Sequence, residues 1–178
     1  KPRYFENIEK QERKKKYDFL AIVSRPEPQR TIFEKGLVNA LKDRIEKSLI
    51  VLGKPELNTS EQIGSLSLKS HLNSKELNTA ILQSDMIICR PGYSTIMDLA
   101  KLEKKAIFIP TPGQTEQEYL AANFMNKGIC YSQKQIDFNF ELAVKESKKY
   151  NGFATSDNRN TNWGNLFLLF NIRYAKIS

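Results

Sequence analysis

Histidine and cysteine are scarce in these 178 residues: one His and two Cys. His71 has no Ser or Cys nucleophile pattern beside it, which argues against a catalytic triad. Cys89 and Cys130 sit in separate apolar runs. With one imidazole they fall short of a zinc ligand set, so no metal is expected. They read as buried free thiols of a reducing compartment. Neither G-x-x-x-x-G-K-[ST] nor G-x-G-x-x-G occurs, so the P-loop and dinucleotide fingerprints are missing. The longest apolar runs, such as "AIFIP" and "MIIC", fall far short of the roughly 20 residues of a bilayer span. No secretory-signal pattern, internal repeat or low-complexity tract is visible. A first residue of Lys rather than Met gives the expectation of a portion upstream.

What is present suits one ordinary domain: 40% hydrophobic and 27% charged residues, enough for a core. Half of the net charge of +8 falls in residues 1–16. "KQERKKK" is therefore a local basic segment, with three readings: a solvated linker, a nucleic-acid footprint, or a contact with an anionic membrane surface. No aromatic interleaves with these lysines to stack on bases, so nucleic acid is the weaker partner. The expected division is a basic linker over 1–16 and a domain over 17–178. The expected location is cytoplasmic, with peripheral contact at the inner membrane face.

From Tyr17 the pattern alternates. "YDFLAIVS", "SLIVLG", "SLSLKSHL", "DMIICR", "KAIFIP" and "ICYS" read as strands. "TIFEKGLVNALKDRIEK" reads as a helix with Ile32, Phe33, Leu37, Val38, Leu41 and Ile45 on one face. "SKELNTAILQS", capped by Ser74, "STIMDLAKLEK", "QTEQEYLAANFMNKG", "FNFELAVKESKKY" and "NWGNLFLLFNIRYAKI" are the other helices. "KPELNTSEQIG" reads as loop. The expected fold is α/β, a Rossmann-like parallel sheet with helices on both faces.

In such a sheet the ligand crevice lies beyond the carboxyl ends of the strands. That rule selects "SRPEPQR", "RPGYST" and "TPGQTEQE". In the first, Ser24, Arg25 and Arg30 are candidates, the arginines for neutralising a diphosphate. In the second, Gly92 admits a close ligand and Ser94 or Thr95 caps a helix whose free N–H groups suit phosphate. Asp98, a turn further on, has the chemistry to accept two bonds from ribose hydroxyls, and is expected partly exposed beside the cleft. In the third, Gln114, Thr115, Glu116 and Gln117 have the chemistry to read sugar hydroxyls.

The order of these pieces resembles the C-terminal domain of GT-B glycosyltransferases, nearest to family 28, which includes the lipid-II-forming N-acetylglucosaminyltransferase. The family pattern is an Ala-Asp, a strand, Arg-Ser/Pro-Gly, an acid-bearing helix, a strand ending in Pro, a Gln-rich loop and an Asn/Ala helix. Ser84-Asp85, Arg90-Pro91-Gly92, Asp98, Pro110, Gln117 and Ala122 fall at matching positions. The likeness is strong over residues 72–128, moderate over "FLAIVSRPEPQRTIFEKGL", and weak elsewhere. It implies one half of a GT-B fold that binds a nucleotide-sugar, usually a UDP-sugar, as substrate and without a cofactor. The backbone at Asn73 and Ser74 would read the base and Asp98 the ribose. Gly92, Tyr93 and Ser94 would meet the diphosphate, and Gln114, Glu116 and Gln117 would face the donor sugar or phosphates; Arg90 and Thr95 stand among the nucleotide-sugar-binding candidates. Two positions depart from the family: Asp98 stands where Glu is common, and "SRPEPQR" replaces a Gly-rich loop. Prolines there remove N–H donors and shift phosphate binding to arginine side chains.

The resemblance implies a hexosyltransferase whose acceptor-binding half, upstream or on a separate subunit, supplies the catalytic base. Some eukaryotic dolichol-pathway enzymes encode the donor half separately. This chain alone would be inactive. The alternatives are a UDP-sugar epimerase or hydrolase of the same fold, disfavoured by one histidine and few loop acids, and a non-catalytic basic binding module.

Overall fold

Seven strands form a single sheet in the order β3-β4-β2-β1-β5-β6-β7. The computed structural model describes residues 14–24 and 27–153. The helix expected in "NWGNLFLLFNIRYAKI", Arg25, and most of the basic segment lie outside these residues.

In chain order the elements are β1 (Tyr17–Ile22), α1 (Gln29–Leu41), β2 (Ser48–Val51), β3 (Ser60–Ile63), β4 (Leu66–Lys69), α2 (Ser74–Leu82), β5 (Ser84–Cys89), α3 (Tyr93–Lys101), β6 (Lys105–Phe108), α4 (Thr115–Asn126), β7 (Tyr131–Ser132) and α5 (Phe140–Ser147). A 3-10 turn at Gln135–Asp137 precedes α5. All pairings are parallel except β3 with β4, which is antiparallel.

The period-2 alternation of the strands divides the core in two. Leu20, Leu49, Val51, Ile87, Cys89, Ala106 and Phe108 face α2, α3 and α4. Phe19, Ala21, Ile50, Ile88 and Ile107 face α1 and α5. Phe108 is fully buried and meets Phe124 edge-on at 6.0 Å. Truncating such a ring costs about 3–5 kcal/mol.

Three expectations are corrected. The reading of "KPELNTSEQIG" as loop missed β3, whose pairing with β4 runs from Ser60 with Lys69 to Ile63 with Leu66. Its residues are mostly exposed, so no apolar alternation betrays it. Second, α1 stops at Leu41, and Ile45 is 91% exposed instead of joining the buried face. Beyond α1 the chain turns, and Arg44 is held by Glu46 and Glu141. Third, the cap of α2 is Asn73 and not Ser74. Asn73 Oδ1 accepts from Glu76 N, and Glu76 Oε2 accepts from Asn73 N, each at 2.9 Å.

Two lysines of the basic segment are engaged. Lys15 Nζ pairs with Asp18 at 2.8 Å and Asp85 at 2.5 Å. Lys16 Nζ lies 5.3 Å from the centre of the Tyr17 ring. No helix among the described residues is long and apolar enough to cross a membrane.

Candidate functional site

The chain steps from β1 outward to β2 and β4, then returns through α2 to β5 on the other side of β1. The order reverses between β1 and β5, so the crevice opens at their carboxyl ends. The segments that begin α1 and α3 flank it, and the one that begins α4 follows β6 next to β5.

α3 has the most open start. Its N-cap is Gly92, with no side-chain cap and no acid in the first turn. Gly92 has φ −90° and ψ 149°, a backbone any residue adopts. A Cβ there would meet only Thr95 Oγ1, at 4.0 Å. Neither backbone nor packing demands glycine, so what it preserves is space beside the uncapped N–H groups. Tyr93 and Ser94 are exposed and Thr95 half-buried. The expectation that Ser94 or Thr95 caps the helix is corrected: neither does, and the first-turn donors are not claimed by a cap.

α1 begins differently. Glu27 Oε2 accepts from Thr31 N at 3.1 Å, and Arg30 Nε donates to Glu27 Oε1 at 2.9 Å. These bonds hold the Glu27 carboxyl below its ordinary range, Thr31 contributing most. Arg30 Nη1 also reaches Gly53 O at 3.3 Å. Gly53 has φ +63°, and a Cβ on it would lie 2.4 Å from Val23 O. It lets the end of β2 close onto the segment carrying half-buried Ser24. Arg30 thus carries an ion pair with Glu27 that a phosphate would have to share.

Arg90 is also not where the sequence reading put it. It is 3% exposed. Nη1 donates to Ile109 O at 2.8 Å and Nη2 to Gln29 O at 3.3 Å; Nη2 also donates to Gln135 Oε1. The guanidinium lies 4.4 Å from the centre of the Phe33 ring. Arg90 thus ties the segment after β5 to the end of β6, the start of α1 and the turn after β7. It does not line an open cleft. Burial lowers its pKa to about 10, so it stays charged at neutral pH.

Asp98 is corrected in the same sense. It is 3% exposed instead of facing the cleft, while Met97 is half-buried and Leu99 fully buried. Gln117, 6% exposed, holds the loop after β6, its Oε1 accepting from Thr111 N at 2.8 Å. Glu118 accepts from Gly113 N at 3.1 Å, which fixes the rest of that loop. Gln114 is the exposed N-cap of α4, and Thr115 and Glu116 beside it are exposed. Asn73 has its N–H and carbonyl engaged by Glu76 and Leu77, and Ser74 beside it is exposed.

A groove of about 830 Å³ continues past β6 between α4 and the turn after β7, with Pro110, Pro112, Ala122, Met125 and Ile136 in its lining. The sequence reading missed it, because its walls come from three separate segments. The edge as a whole therefore offers uncapped donors at α3, polar side chains at α4, and a buried cation between.

Comparison with known proteins fits this geometry. The Glycosyltransferase family 28 C-terminal domain model matches residues 32–161. A UDP-N-acetylglucosamine--N-acetylmuramyl-(pentapeptide) pyrophosphoryl-undecaprenol N-acetylglucosamine transferase of Methylobacterium radiotolerans is 29% identical over 117 residues, 62% of this chain and 31% of that protein. Acinetobacter baumannii MurG has a TM-score of 0.60 at 17% identity, over 84% of this chain and 48% of that one. An NMR solution structure of ALG13 has a TM-score of 0.57 at 16% identity, over 82% of this chain and 92% of that one. The chain spans between 15% and 31% of the lengths of the curated relatives it matches.

Proposed function

The chain belongs to the glycosyltransferase family 28 C-terminal domain family, and on that premise we propose that it binds the nucleotide-sugar donor, a UDP-sugar, of a two-part hexosyltransferase. Its sheet and helices are those of one half of a GT-B fold. The observation that carries the proposal is the start of α3. A glycine required by neither backbone nor packing stands there beside uncapped N–H groups, at the point where the strand order reverses.

In this reading the diphosphate sits on the N–H groups of residues 93–95. The helix dipole contributes about 0.3–1 kcal/mol to holding it there, more where the site is partly buried. Ser74 meets the base, and Gln114 and Glu116 meet the sugar. Asp98, buried one turn along α3, is the ribose candidate that the family resemblance implies, and comparison of UDP with a 2′,3′-dideoxy nucleotide decides between that role and one in the fold. Gln117 acts indirectly by holding the 111–114 loop. The acceptor and the base that deprotonates it come from the other half of the enzyme, and the sugar is transferred by direct displacement.

The test is calorimetric titration of the folded chain with UDP, GDP, dTDP and their sugars. Millimolar or tighter binding of UDP, ahead of GDP and dTDP, is expected. No UDP binding up to millimolar concentration would sink the proposal.

A further inference from the structure

We propose that Arg90 is a specificity-determining charge of this site: from beneath the carboxyl edge it selects a diphosphate-bearing ligand over an uncharged nucleoside, without touching either. The inference rests on the donor-site reading above.

The Arg90 guanidinium is buried among neutral groups. At 3% exposure it has almost no water. Its hydrogen-bond acceptors are two backbone carbonyls and one amide oxygen, all neutral. Nε has no partner among the described residues. No carboxylate among them lies within ion-pairing distance of it. Burying a charge without a counterion is costly, and unsatisfied donors add to that cost. A hydrophobic side chain of similar length would fill the space without this penalty.

The charge also stands where an anion would use it. Gln29 opens α1, Ile109 directly follows β6, and Gln135 follows β7. All three lie at the carboxyl edge. Arg30, the other arginine described there, is matched by Glu27. Arg90 is a buried charge at this edge with no counterion among the described residues. Gln135 Nε2 donates to Gln29 Oε1 at 2.6 Å, and this amide pair closes over the guanidinium. Screening by salt is weak for a charge so enclosed, so its field persists into the crevice. The guanidinium has no carboxylate to spend that field on, and an anion at the α3 start would receive it.

Gln135 supplies the test. A carboxylate in its place would neutralise Arg90 internally while keeping an oxygen for Nη2. Q135E, R90Q and R90K of the full chain would be titrated with UDP and with uridine by NMR, with Tm measured in parallel. For Q135E the expected result is a Tm no lower than wild type, UDP weakened about tenfold, and uridine unchanged within about twofold, the scale of one charge acting through protein. R90Q loses UDP to the same degree, and R90K, which keeps the charge, loses less. A purely structural Arg90 predicts the reverse for Q135E: no selective loss of UDP. UDP binding by Q135E within twofold of wild type overturns the inference, as does equal weakening of UDP and uridine. In both cases the wild-type chain still binds UDP, so the donor reading survives. If the wild-type chain binds neither, both fall together. Should R90Q not fold, Q135E decides the matter alone.

Discussion

Two residues of α3, Gly92 and Asp98, separate ligand recognition from stability. Gly92→Ala introduces a methyl group into open space on an ordinary backbone. Alanine caps helices less well than glycine, so a stability loss of about 1 kcal/mol or less is expected. The methyl group would intrude on a phosphate held by the first-turn N–H groups, and UDP affinity should drop at least tenfold, near 1.4 kcal/mol. Asp98→Asn should behave otherwise. Asp98 is buried, so altering its hydrogen bonding should cost about 1–3 kcal/mol of stability as well as donor affinity. Urea unfolding and UDP titration of both variants test the contrast. A 2′,3′-dideoxy nucleotide separates the roles further: Asp98→Asn should weaken it less than UDP. If the two nucleotides weaken equally, Asp98 serves the fold and not the ribose.

At the scale of elements, the thiols report on the central strands. Cys89 ends β5 and Cys130 directly precedes β7, both fully covered. Burial pushes the Cys89 thiol up to about 12, and Cys130 well above its ordinary range. Both should resist a thiol reagent at neutral pH until the sheet opens, since the thiolate is the reactive form. The sign of the alkaline dependence follows. The folded chain keeps its thiol protons above the pH, near 9, at which the unfolded chain releases them. This contribution to stability is complete below pH 9 and is lost as pH rises from 9 toward 12. Replacing both by Ala should flatten that limb of a urea-unfolding series, and an unchanged limb would contradict the burial account. The strands themselves were legible as apolar runs. β3 was not, because an exposed edge strand pairs through its backbone and needs no alternation of side chains.

For the whole molecule, this fold is proposed as one wall of a two-walled cleft. The purified chain should bind donor yet transfer no sugar to any lipid or saccharide acceptor, because the base and the acceptor surface are proposed to belong to another half. A radiolabelled-sugar transfer assay checks this; turnover by the chain alone would refute the division of labour. Restoration of transfer on adding the missing half would support it.

The sequence by itself determined the alternation of strands and helices, since apolar periodicity is a local property that burial later satisfies. It also placed the three polar segments at one edge, because parallel strands joined by crossovers deliver their carboxyl ends together. Only the tertiary structure decided what the side chains in those segments do. Arg30, Arg90, Asp98 and Gln117 all looked like ligand contacts in the sequence. Arg30 turned out to face Glu27, Arg90 to brace four segments, Asp98 to lie buried, and Gln117 to hold a loop. A polar side chain in a loop is directed by partners distant in the chain, Gln135 for Arg90 being 45 residues away. No local pattern encodes such a partner, because the contact exists only once the sheet has brought the strand ends together.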